Sequence, residues 1–463
     1  MDCHRRLRLG SGLAVLAAVL SGGSATSGAG QAGFQLTFES RPQVEALRCP
    51  SQETPSSTRA AAPNERIPAA DELDTTPIDA GRPMPSPSLA QDVRRGFLLP
   101  SPGGEPLRVG VWGDSHVAAG FITDEIAKLA EARGLSVATR MLPASVGRPG
   151  VRLPVRRVCK SGGWEFQPAY RAPTTQPVGP GLSTLRSANA GDYLWLDLRH
   201  RAERTVRGVR IQYLPTRAAS AIGIRVDDGA EARIELAGRG PGPVAPGQLD
   251  VRASLSISTL KLRVIRGEVV LHGIALDYVS RHDVTIDVFG LPSATVNGWS
   301  NADAAFLRRS IDPGGYDAII LEYGTNEGAV GRFDASKYAA MLTSSLRNVR
   351  EVFPDAACLM MGPTDRGVRI PQGPRRGPAD LLQYSRIHQQ ITRIQGDVGK
   401  RFGCAVWDWQ RAMGGTGSIY SWARATPALA APDLIHLTLA GYRRTAAALA
   451  QSLGWLEPPP AIR

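Results

Sequence analysis

Three short strings, far apart in the chain, carry the residues that can do chemistry: Gly113-Asp114-Ser115-His116, Gly324-Thr325-Asn326-Glu327 and Asp433-Leu434-Ile435-His436. Serine, histidine and aspartate are the side chains of nucleophilic acyl transfer. The imidazole takes the serine proton during attack on an ester carbonyl, and the carboxylate orients the ring. The spacing of Asp433 and His436 lets one short turn present both, with the carboxylate on one ring nitrogen and the other nitrogen facing Ser115. Ser115 follows an apolar run, Leu107 to Trp112, and precedes a helix-like segment, Phe121 to Ala132. That order predicts a strand-to-helix turn with an exposed hydroxyl and backbone amides aimed at the same spot. A lone Gly-Asp-Ser is also an ordinary turn, so the argument for a site rests on the three strings together. His436 has a structural alternative at a helix start, where Thr438 is a candidate N-cap, and Asn326 has one as a ligand of turn backbone. Glu327 reads as a solvated or ion-paired carboxylate, and His116 either lines the acyl pocket or packs structurally.

These strings and their order resemble the SGNH, or GDSL, hydrolases over most of the second half of the chain. The resemblance implies Ser115 as nucleophile with Asp433 and His436 as its partners. It also implies an oxyanion hole built from the Ser115 amide, the Asn326 side chain and the amide of Gly298 in Val296-Asn297-Gly298-Trp299, with Gly290 as a nearby alternative. The implied fold is α/β, a flavodoxin-like three-layer domain, and the implied reaction is ester hydrolysis through an acyl-enzyme with no metal or organic cofactor. Glu327 departs from the family, which usually has Asp there. Gly-Thr-Asn-Glu together with His116 is similar to the peptidoglycan O-acetylesterase branch, which carries a carbohydrate-binding-like β-sandwich after the nucleophile block. On that resemblance the substrate is an O-acetylated glycan, peptidoglycan or a related envelope polysaccharide. The alternatives are a lipase or thioesterase with the same triad, a polysaccharide O-acetyltransferase, and a glycan-binding envelope protein without turnover.

The elements that must position these residues follow from hydrophobic periodicity. Apolar runs at Leu107 to Gly113, Val284 to Gly290, Ala318 to Gly324, Ala357 to Gly362 and Ala405 to Trp409 read as strands. Helical patterns lie between them, at Phe121 to Ala132, Ala302 to Ser310, Ser336 to Phe353, Ala379 to Phe402 and Leu439 to Leu453. Such alternation predicts a parallel sheet with sites at the carboxyl ends of its strands, and Ser115, Gly298 and Asn326 each follow one. The alternation stops between residues 161 and 278. Seven short, roughly period-two runs separated by Gly, Pro and Asp take its place, which predicts an inserted β-sandwich. That sandwich either binds glycan or only shapes the cleft.

Arg5, Arg6 and Arg8, then Leu9 to Leu20, then a small-residue stretch to Gly30 have the order of a signal peptide, which predicts a secreted or periplasmic protein. No later segment is apolar for long enough to predict a membrane span. The domain reading is therefore a signal peptide (1–30), an N-terminal segment with a flexible Pro/Ser/Ala-rich linker (31–95), a first hydrolase part (96–160), the sandwich (161–278) and a second hydrolase part (279–463). A formal charge of +12 over 463 residues suits anionic polymers. No base-reading pattern accompanies it, which argues against nucleic acid. Arg366, Arg369, Arg375 and Arg376 share a Pro/Gly-rich loop on the active-site side, either as a grip on an anionic glycan or as a solvated basic loop. Cys49, Cys159, Cys358 and Cys404 allow three connectivities, and Cys358 and Cys404 could equally be buried thiols. None has the spacing or companion histidines of a metal site.

Overall fold

The computed structural model describes residues 34–39, 45–50, 65–69, 72–73, 78–81, 84–200, 205–236, 238, 240, 242–311, 315–329, 332–371 and 376–456. The expected signal peptide and Arg375 lie outside them. Six strands form a parallel sheet: β1 (Leu107–Gly113), β2 (Val137–Ala138), β3 (Val284–Gly290), β4 (Ala318–Glu322), β5 (Ala357–Met361) and β6 (Cys404–Trp407), in the spatial order β6-β5-β4-β1-β3-β2. β1, β3 and β4 are near-continuous apolar runs because helices cover both of their faces. In the register Gly113 lies opposite both Gly290 and Glu322. Three loops therefore leave the sheet at one level, and the strings that carry Ser115 and Asn326 begin there.

Helices α1 (Ser115–Ala118) and α2 (Phe121–Glu131) follow β1, α3 (Asn297–Ser300) and α4 (Ala304–Ser310) follow β3, and α5 (Ala335–Val352) follows β4. α6 (Gln383–Arg401) and α7 (Leu439–Ser452) complete the layers. α6 buries Ser385, His388, Ile391, Thr392, Gln395 and Val398, one face of a 3.6-residue period. One core joins Val109, Val111 and Ile286 of the sheet to Ile126 of α2 and Leu449 of α7. A second joins Ile319 and Leu321 to Leu346 and Val349 of α5 and Ile391 of α6. This is the three-layer α/β arrangement. Among the described residues no helix is long and apolar enough to cross a membrane.

Between β2 and β3 the chain builds all but one strand of two further sheets. One orders Phe34–Phe38, Gly247–Ala253, Val206–Tyr213, Val269–Tyr278, Ser183–Ser187 and Glu165–Pro168, with Met141–Pro143 also pairing Val269–Tyr278. The other orders Ala232–Leu236, Ser220–Val226, Thr259–Arg266, Tyr193–Asp197 and Arg157–Lys160. Ile211, Val251 and Ile274 of the first share a core with Leu196, Ile224 and Leu262 of the second. The strands begin at Met141 and Arg157, ahead of the expected boundary at 161, because these short runs carry too few residues for period-two alternation to show.

The N-terminal segment differs from the expected tether. Phe34–Phe38 pairs in parallel with Gly247–Ala253, and Cys49 is bonded to Cys159. Glu65–Arg66 pairs with Ile370–Pro371, Met84 is buried, and Ile67, Leu73, Ile78 and Leu89 pack against the hydrolase core. Those apolar residues are single and aperiodic, so composition hides them; each fills a gap on a surface that already exists. Cys358 and Cys404 face each other across β5 and β6 with Cα atoms 4.5 Å apart and form the second disulfide, which removes the thiol alternative.

Candidate active site

Ser115 opens α1 immediately beyond β1. Asp114 caps the turn, its Oδ1 accepting from the His116 amide at 2.9 Å. Gly290 is required opposite it, since a Cβ there would lie 2.1 Å from the Ala118 nitrogen. Ser115 Oγ lies 2.9 Å from His436 Nε2, and His436 Nδ1 lies 2.7 Å from Asp433 Oδ2. The other Asp433 oxygen accepts from the amides of Ile435 at 3.0 Å and His436 at 2.9 Å. Leu434, fully buried at φ 58°, makes the turn possible and anchors it. The Asp433 hydrogen bond raises the imidazole pKa above its ordinary value against the opposing pull of burial. Burial pushes the Asp433 carboxyl up, but the His436 ring and the two amides outweigh it and hold it at about 2. The Asp433 and His436 side chains stay 46% and 40% exposed, so the site is an open one.

Asn326 sits beside the serine turn, its Nδ2 3.3 Å from Asp114 Oδ2 and donating to the Ala294 carbonyl at 2.8 Å. Glu327 is neither solvated nor ion-paired. Its Oε1 accepts from the Val296 amide at 2.7 Å and its Oε2 from the Gly324 amide at 3.1 Å. Burial raises its pKa to about 7 against the pull of those amides. It thus ties the loop after β3 to the loop after β4.

Gly298 does not fit the oxyanion role. Its amide donates to the Thr295 carbonyl at 3.1 Å in the turn that opens α3, and its Cα faces Leu182 and Tyr170. The loop after β3 instead presents Ser293, exposed and at φ 65°. Its neighbours Leu291 and Ala294 bond to the Gly113 carbonyl and to each other. Among the described residues the Ser115 and Ser293 amides have no hydrogen-bond partner. A glycine is the residue that sequence reading selects for close approach, whereas a serine held at positive φ by the loop leaves no compositional mark.

A buried acid pair was also missed. Glu322, ending β4, accepts the Asp114 amide at 3.1 Å, and both side chains are inaccessible to solvent. Burial and the neighbouring Asp114 charge push the Glu322 carboxyl well above the usual carboxylate range, and burial raises Asp114 as well. The signal available in sequence was a single charge closing the apolar run Ala318-Ile319-Ile320-Leu321. His116 packs behind the site, its Nδ1 3.0 Å from the Tyr442 hydroxyl and its ring 5.4 Å from that of His436. Burial, with the neighbouring His436 charge, pushes its pKa well below the ordinary imidazole value.

The parallel sheet, with a serine and an imidazole meeting at its carboxyl end, defines an α/β hydrolase of carboxylic esters. Residues 272–444 match the GDSL-like Lipase/Acylhydrolase family. The match includes Asn326, Asp433 and His436 and begins downstream of Ser115. Among solved structures, a peptidoglycan O-acetylesterase is similar at 23% identity and a TM-score of 0.57, over 79% of this chain and 94% of that one. That likeness speaks to the fold. A family two carbohydrate esterase from Cellvibrio japonicus has 12% identity and a TM-score of 0.24, over 65% of this chain and 99% of its own. No curated protein matches the chain.

Proposed function

We propose that the chain is an exported serine carbohydrate esterase that removes O-acetyl groups from peptidoglycan or a related envelope polysaccharide. The observation that carries this reading is the continuous chain of hydrogen bonds from Ser115 Oγ through His436 to Asp433, 2.9 and 2.7 Å long. On this reading His436 Nε2 takes the Ser115 proton as Oγ attacks the acetyl carbonyl. The oxyanion is met by the Ser115 and Ser293 amides and by Asn326 Nδ2, whose longer contact to Asp114 yields to the substrate. Collapse expels the sugar alkoxide with the His436 proton, and a water activated by His436 then releases acetate and restores Ser115. The openness of the triad favours a short acyl group on a bulky polymer over a long acyl chain that would need a deep apolar channel. The signal-peptide order of residues 1–30 supports export.

The test is acetate release from O-acetylated peptidoglycan, with p-nitrophenyl esters from acetate to octanoate in parallel. Wild type should release acetate and prefer the short ester. Ser115→Ala should lose about 10⁴-fold or more in kcat/KM. Equal inertness of both proteins, with glycan binding retained, would turn the reading to a binding protein.

A further inference from the structure

The four arginines of the loop after β5 do not act as one patch. Arg369 lies 3.4 Å from the Glu65 carboxylate, Arg376 lies 3.7 Å from that of Asp380, and Arg375 falls outside the described residues. Arg366 is different. Among the described residues no carboxylate pairs with it, and its buried Nε has no hydrogen-bond partner. Its Cζ sits 4.6 Å from the ring centroid of Tyr384, and its Nη1 reaches the Thr325 carbonyl at 3.4 Å. A partly buried guanidinium without a counter-ion is unfavourable unless something brings the missing charge. Burial does pull its pKa down, while Tyr384 and Asp433 oppose this, and a guanidinium stays cationic at neutral pH regardless.

The backbone around Arg366 is held on both sides. The buried Asp365 carboxylate accepts from the Gln410 side chain at 2.8 Å and the Ile419 amide at 2.9 Å, and it also bonds the Ser385 hydroxyl. The Gly367 amide donates to the Leu434 carbonyl at 2.9 Å, inside the turn that carries Asp433 and His436. The cation therefore stands between the Asn326 string and the triad turn, with its planar fork fixed by Tyr384 and little ordering left to do on binding.

We infer that Arg366, stacked on Tyr384, receives a carboxylate of the saccharide whose ester is cleaved at Ser115, so that the preferred substrate is an acidic O-acylated sugar. This rests on the esterase reading above and adds the feature by which the site selects its sugar. A guanidinium fork suits a carboxylate because two parallel N–H···O bonds can form, here from the terminal Nη groups, since the buried Nε is out of a ligand's reach.

The experiment compares O-acetylated N-acetylmuramic acid with its lactyl carboxamide, a near-isosteric neutral group that offers no second ester to cleave. The full chain, Arg366→Gln and Arg366→Lys are used, each normalised by active-site titration with a phosphonate. Wild type should favour the free acid by roughly 10- to 100-fold in kcat/KM, mostly through KM. Arg366→Gln should bring the ratio close to one, and Arg366→Lys should leave it between, since an ammonium keeps the charge without the fork. A wild-type ratio near one overturns the inference while leaving the esterase reading intact. So does an Arg366→Gln variant that slows both substrates equally, because Arg366 would then act only through His436. If wild type cleaves p-nitrophenyl acetate but neither sugar, the glycan reading itself fails and takes this inference with it.

Discussion

His436 can accept the Ser115 proton only while its Nε2 is unprotonated, and the hydrogen bond to Asp433 raises its pKa above the ordinary imidazole value of about 6.5. On the proposed mechanism kcat/KM is full above that raised value and is lost as the pH falls through it. Asp433→Asn removes the anion that favours the imidazolium, so the acid limb should move to lower pH. The plateau should fall by about 10²- to 10⁴-fold, because the ring loses its orienting charge. A pH profile of both proteins on p-nitrophenyl acetate reads the two effects separately. An unmoved acid limb would mean that another group governs it. The pairing of Asp433 with His436 was legible in the sequence because three residues span one turn. The loss of Gly298 was not, because whether an amide is free depends on the helix it sits in.

Glu327 acts between elements. By accepting amides from the loops after β3 and β4 it sets Ser293 against Asn326 across two loops that share no covalent link. In Glu327→Gln only one oxygen can accept, and the amide group faces a backbone N–H that it cannot satisfy. An unmet buried donor costs about 1–3 kcal/mol. The expected outcome is a matching loss of urea stability together with a kcat at least tenfold lower at similar KM. A stability loss without the kcat change would make the tie merely structural. The strands of the parallel sheet were legible at this scale. Leu107–Gly113 and Val284–Gly290 coincide with their apolar runs, since burial on both faces leaves an uninterrupted signal. Phe34–Phe38 was not legible, because a single short strand on the edge of a distant sheet carries its meaning only in its partner, Gly247–Ala253.

Across the whole molecule the segment that leads into the two further sheets meets the parallel sheet at Asp287 of β3. Its carboxylate accepts from the Arg140 amide at 2.6 Å, the Met141 amide at 2.9 Å and the Tyr316 hydroxyl at 2.8 Å. Asp287→Ala leaves three donors unpaired and should cost about 3 kcal/mol or more. Burial pushes the Asp287 pKa up to about 6, against about 3.9 in the unfolded chain. The folded state therefore binds the proton more tightly, and the stabilisation is full below the unfolded value and falls as the pH rises through 6. Asp287→Asn does not titrate there, so wild-type stability relative to this variant should decline between pH 4 and 7. A constant difference in denaturant melts over that range would show that Asp287 is already ionised in the fold. The sequence by itself determined the chemical inventory: a serine after a strand, an Asp-His turn, an asparagine after a third strand, and the alternation that orders them. These are local patterns, written in burial periodicity and turn spacing. Only the tertiary structure decided which groups meet: Ser115 with His436 across 321 residues, Asp114 with Glu322 across 208, and Arg366 beside the triad turn while its neighbours pair elsewhere. Contacts of that range are set by strand register and helix packing, and neither is encoded within the few residues that make the contact.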